Sequence, residues 1–168
     1  TDRLLRSRAI SSPVSVLPSY RIPPAVMRHL ELELGGRVQA DPERALPLAD
    51  KLWEDGYFES RLLAAFLLGR IPPHGDAFLD RLTTWVADTR DPAISNILLS
   101  TSLARLRAEA MDDFLKLVGN WARPSQKKMW SSAINALLPL LRDKNFHNLP
   151  AVFMIVQPIL ESAPATLL

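Results

Sequence analysis

One pattern recurs along this chain at a fixed spacing, and a stack of repeated helix pairs accounts for it. Phe78, Leu79, Leu82 and Trp85 stand 36 residues before Phe114, Leu115, Val118 and Trp121, and Asp76 leads the first set as Asp112 leads the second. Steps of one, three and three within each set place the side chains on one face of a helix. Ala45, Leu46, Ala49 and Leu52 fit the same frame 33 residues upstream of the first set. One helix pair cannot bury its own apolar stripe, so pairs repeating with a period in the thirties must stack on their neighbours. The fold class read from this is all-α: a helical-repeat solenoid of about four antiparallel pairs. The rival, an irregular helical bundle, gives no reason for one pattern to return at a fixed period.

Local signals punctuate the pairs. Residues 1–23 are rich in Ser, Arg and Pro and read as irregular or loosely packed; the solenoid domain spans 24–168. A helix over 24–34 presents Val26, Leu30 and Leu34, with Gly35-Gly36 stopping it. Asp41-Pro42 combines an N-cap with proline at the first helical position and opens a helix to about Asp55, with Leu46, Ala49, Leu52 and Trp53 inward. Gly56 ends it. A strongly apolar helix runs from Phe58 to Arg70, and Pro72-Pro73 breaks it. The next spans Asp76 to Asp88. Asp91-Pro92 repeats the cap signal and opens a helix to about Leu106. Another spans Ala110 to Ala122 before Pro124; Ser125 caps a helix to about Arg142; the last covers Pro150 to Ser162. No segment sustains apolar–polar alternation, so no strand is expected. Residues 165–168 read like the opening turn of a further helix, and residues are expected to be missing at both ends.

The 168 residues suit one domain able to bury roughly 70% of its unfolded surface without a staple. There is no cysteine, which excludes disulfides and thiolate metal sites and favours an intracellular, cytoplasmic protein. No apolar run approaches 18 residues, so no membrane span is expected, and Arg3, Arg6 and Arg8 punctuate the start where a secretory leader would be apolar. Net charge is +2 but uneven: residues 1–40 carry six Lys/Arg and three Asp/Glu, residues 41–91 six and ten, residues 92–168 eight and five. The basic ends suit a polyanion, or are ordinary solvated helix faces.

Most catalytic chemistry has no foothold in this sequence. His29, His74 and His147 are scattered and lack carboxylates at ligand spacing, so no metal site is expected. No glycine-rich phosphate loop, nucleophile elbow or kinase motif occurs, and no cofactor is expected. Trp85 and Trp121, at equivalent repeat positions, read as core. Trp130 is the better candidate for a stacking face, because it follows Lys127 and Lys128 on the second helix of its pair. With Arg123 in the preceding loop and Ser131 and Asn135 beyond, these residues form a candidate phosphate-contacting strip.

The stretch Leu52-Trp53-Glu54-Asp55-Gly56-Tyr57-Phe58-Glu59-Ser60-Arg61, followed by the apolar Leu62–Leu68, resembles the DNA alkylation repair family of HEAT-like alkylpurine DNA glycosylases. Members show Leu-Trp, a short turn, then Glu-x-Arg before an Ala/Leu helix; Glu59 and Arg61 hold those places. The lead-in Asp41–Leu46 and the Pro23-Pro24 entry are also similar. The resemblance implies a HEAT-like fold and DNA as partner. In active members it implies a tryptophan four residues before a catalytic aspartate, near the start of a second helix. The aspartate stabilises positive charge as the alkylated base leaves. This chain departs there: Tyr57, Thr89, Ser125 and Ile134 lie four residues after its tryptophans, and Ile94, Ser95 or Asn96 replaces the acid. Asp88 and Asp91 are the candidates for a relocated acid, Asp91 also reading as an N-cap.

Three functional readings follow: a DNA-binding relative without the catalytic acid, an active glycosylase with the acid relocated, or a HEAT-type scaffold whose partner is a protein. The fold class alone cannot choose among them.

Overall fold

The computed structural model describes residues 15–73 and 75–162, and among these the chain is all-α, eight helical rods with no strand. Most of the segment 1–23, including Arg3, Arg6 and Arg8, lies outside the described residues, as do His74 and the expected turn at 165–168.

The rods form two layers. Helices α2 (Pro42–Glu54), α4 (Asp76–Asp88), α7 (Met111–Trp121) and α9 (Leu149–Ser162) make one. The other holds α1 (Pro24–Ala40), α3 (Phe58–Arg70), the rod from α5 (Pro92–Ile97) to α6 (Ala104–Glu109), and α8 (Trp130–Arg142). Each rod packs on near neighbours along the chain, within its layer and across it, which is the contact pattern of a helical repeat. Side chains tie the first layer together. Arg81 of α4 donates to both oxygens of Asp50 on α2 at 2.7 and 2.8 Å. Trp53 of α2 stacks on Trp85 of α4, ring centroids 4.4 Å apart and planes 2° from parallel. Trp121 of α7 donates its indole N–H to Thr83 of α4 at 3.1 Å. Trp85 and Trp121 are both buried at matching repeat positions, as the 36-residue pattern predicts. The core between the layers runs from Val38 to Ile159 without a break.

The structure corrects four boundaries or faces. Helix α1 runs through Gly35-Gly36 to Ala40. Buried Val38 anchors its last turn, and the stop comes at Asp41, whose backbone is extended (φ −146°) because it precedes Pro42. The buried face of α1 is Met27, Gly35 and Val38; Val26 is exposed, and Leu30 and Leu34 are half-buried.

The helix expected over 91–106 widens at Leu98–Ser102 into a π segment before resuming as α6, which ends at Glu109. Here α3 and the widened rod approach closely. A Cβ on Gly69 of α3 would stand 2.9 Å from the Thr101 carbonyl oxygen and 3.2 Å from Ser102 Cα. Buried Ser102 donates its hydroxyl to the Ala65 carbonyl at 2.7 Å. Widening a helix redirects carbonyls from the i→i+4 ladder; Arg107 donates to those of Leu99 and Ser100, each at 3.1 Å.

Ser125 does not cap an α-helix. Pro124–Met129 is a 3₁₀ turn with Gln126 outside helical geometry (φ −110°, ψ 40°), and α8 begins at Trp130. Finally, residues 15–22 are irregular, bending at Val16–Leu17 and with Arg21 at a φ of +56°, but they are bonded to the helices and not loosely packed. They form a strap whose bonding is described next.

Candidate nucleic-acid interface

Three helices of the second layer, α3, α5 and α8, begin in different chemical settings. At α3, Glu59 occupies the first turn and is buried. Its carboxylate accepts from the Ser19 hydroxyl at 2.6 Å, the Tyr20 amide at 2.9 Å and the Ile22 amide at 3.3 Å. Burial alone would raise this carboxyl's pKa; the three donors outweigh it and hold the group below the ordinary glutamate value. The strap residue Tyr20 also stacks on Tyr57 with centroids 3.9 Å apart.

At α5, Asp91 is 1% exposed. Its carboxylate caps the helix by accepting from the amides of Ala93 (3.0 Å) and Ile94 (3.2 Å), as the Asp-Pro signal predicts. It also accepts from the Ser15 hydroxyl at 2.5 Å and the Val16 amide at 2.9 Å. Burial again opposes ionisation and the donors again prevail, so the group stays ionised below the usual aspartate range. Both oxygens are therefore committed within the fold. Of the positions expected to stand in place of the family's acid, Ile94 is in the core, Ser95 is half-buried and Asn96 is exposed.

Asp88, at the end of α4, differs from Asp91. Its side chain is 61% exposed, and its nearest cation is Arg61 at 3.9 Å. The Arg61 guanidinium lies 4.6 Å above the Trp53 ring, so Arg61, Trp53 and Trp85 are stacked in series. Arg61 Nε and Thr89 Oγ1, both inaccessible to water, make no hydrogen bond among the described residues.

At α8 no carboxylate of the described residues takes part. Arg123, Lys127 and Lys128 are all exposed around the 3₁₀ turn, and none forms an ion pair among the described residues. Buried Met129 and Trp130 pin the turn from below. Trp130 donates its indole N–H to the Arg123 carbonyl at 3.0 Å, and Lys127 Nζ lies 5.9 Å over its ring. Trp130 is thus a bracket for the basic turn and not an open stacking face, because its ring is already covered by core. Ser131 and Asn135 are exposed on α8, four residues apart and on one side. Exposed Arg90 follows α4, the helix against which this turn packs, and sequence reasoning passed it over.

No cluster of three His or acidic side chains able to hold a metal occurs among the described residues, and no helix there is long and apolar enough to cross a membrane.

Paired helices stacked in two layers, with one helix start left basic, make an all-α fold consistent with a helical repeat. A model of the family described as DNA alkylation repair enzyme matches residues 22–164, and the chain belongs to that family. A search of curated proteins and a search of solved structures returned no match.

Proposed function

We propose that this domain binds duplex DNA through the basic turn at the start of α8 and does not excise alkylated bases by the family's acid-assisted route. The observation that carries the proposal is the exposure of Arg123, Lys127 and Lys128 on a turn fixed from below by Met129 and Trp130. Membership of a DNA repair family supports DNA as the polyanion. Lysine and arginine neutralise phosphates without reading bases, so binding is sequence-independent, and Ser131 and Asn135 add hydrogen-bonding partners for the backbone. The carboxylate that would balance a departing base's charge is lacking: Asp91 has its oxygens bonded within the fold, and Asp88 faces solvent beside Arg61.

Titration of the domain on a short duplex at several salt concentrations tests this. Three neutralised phosphates give a log–log salt slope of about −2.7, and replacing Lys127 and Lys128 by alanine flattens it by about two phosphate equivalents. Incubation with methylated duplex should leave free bases at background. Release abolished by Asp88→Asn would establish a relocated acid instead. Absence of binding at low salt would give the lead to a protein-interaction scaffold.

A further inference from the structure

Short loops join α2 to α3, α4 to the α5–α6 rod, and α7 to α8, which makes each pair antiparallel neighbours. The loops 55–57, 89–91 and 122–129 therefore lie along one edge. The basic turn occupies the third of them and packs on α4, which ends two residues before Arg90 in the second. Arg90 is exposed and forms no ion pair among the described residues, although an aspartate lies on either side of it in sequence. Each aspartate is engaged elsewhere. Asp88 has Arg61 of α3 as its nearest cation, at 3.9 Å. Asp91 is buried, and its oxygens are bonded to the α5 amides and the strap. The start of α5 is thus closed, and the Arg90 side chain is what this corner offers an anion.

We infer that Arg90 is a fourth phosphate-binding residue, which extends the DNA surface from the α8 corner to the α5 corner, and that Arg61 is a positioning residue that keeps Asp88 off it. The inference rests on the DNA reading of the basic turn. Spacing supports one continuous track. Neighbouring packed helices stand about 8–10 Å apart, and the phosphates of one strand advance about 3.4 Å each along the duplex axis, so one strand can pass both corners within two or three phosphates. The track ends at Arg90. The remaining loop, 55–57, carries no cation, and exposed Glu54 and Asp55 border it. Asp55 is itself bonded to Ser60 and Tyr20, which leaves that corner acidic and inward-facing. DNA contact is thus confined to the half of the edge formed by α4, α5, α7 and α8.

Salt titration on a short duplex separates this track from the basic turn alone. Four neutralised phosphates give a log–log slope of about −3.6, against about −2.7 for the turn by itself. Arg90→Ala should return the slope to about −2.7 and lower affinity about eightfold at 0.1 M salt, the counterion-release share of one phosphate. Arg90→Lys should keep the slope. Melting should be unchanged in both, because the side chain is exposed. Arg61→Gln should release Asp88 toward Arg90 and weaken binding, and adding Asp88→Asn should restore it, which a merely structural role for Arg61 would not allow. A slope indifferent to Arg90→Ala, with Lys127→Ala and Lys128→Ala still flattening it, would overturn this inference and leave the basic turn standing. A loss in Arg61→Gln that Asp88→Asn does not reverse would overturn the positioning role. A domain that binds no duplex at low salt would overturn both this inference and the reading beneath it.

Discussion

The starts of α5 and α8 belong to one layer of one fold, yet one is closed and the other open. At α5 a buried aspartate satisfies the helix amides and holds the strap with the same two oxygens. At α8 a 3₁₀ turn carries two lysines where an acid would suit the helix dipole. The aspartate opposes the positive end of its helix and the lysines add to that of theirs. The two corners differ in what they can still attract: the first has spent its capacity within the protein, and the second keeps it for an external anion.

The largest effects should come from the tryptophans beneath both corners and should not distinguish them. Trp85→Ala and Trp130→Ala should each cost about 3–5 kcal/mol in chemical denaturation, because both rings are buried and leave cavities. A near-neutral Trp130→Ala would show that the basic turn needs no bracket. Asp91→Ala should cost about 3 kcal/mol, from a lost N-cap and two strap donors left without an acceptor. A cost below about 1 kcal/mol would mean that the strap is held elsewhere.

Acid should open the closed corner selectively. Asp91 and Glu59 both have lowered folded pKa values, so they bind protons more weakly folded than unfolded. Their contribution is fully present above the unfolded values of about 4 and is lost as pH falls through the folded ones. Denaturation between about pH 6 and pH 2 should show this loss, reduced in Asp91→Asn. The smallest stability effect belongs to Lys127→Ala with Lys128→Ala. It should stay within about 0.5 kcal/mol while DNA affinity drops, since the side chains are solvated.

The repeat and the closed corner differ in how far the sequence reveals them. The Phe-Leu-x-x-Leu/Val-x-x-Trp frame is legible because core contacts in a stacked repeat are periodic, and Asp91 as a cap is legible because capping is local. The strap is not: Ser15 meets Asp91 across 76 positions, and no periodicity encodes that meeting. Gly35-Gly36 misleads because a stop signal acts only where the chain is free to turn, and Val38 keeps α1 docked for one turn more. Trp130 misleads for a related reason. Sequence places it next to lysines, whereas the 3₁₀ turn beginning at Pro124 rotates its ring into the core. Arg61 stood out only through resemblance to a family, and its stack on Trp53 and Trp85 joins residues from three helices.

The strap has a consequence for the order in which the molecule assembles. Helix pairs close short loops and can form early, whereas the Ser15–Asp91 and Ser19–Glu59 bonds close the chain over 76 and 40 positions. The strap can dock only after α3 and α5 stand side by side. It therefore contributes little to the folding barrier and much to the unfolding one. Ser15→Ala or Ser19→Ala should leave the refolding rate nearly unchanged and hasten unfolding. The strap thus lengthens the lifetime of the native state, acting as a latch set last and released first.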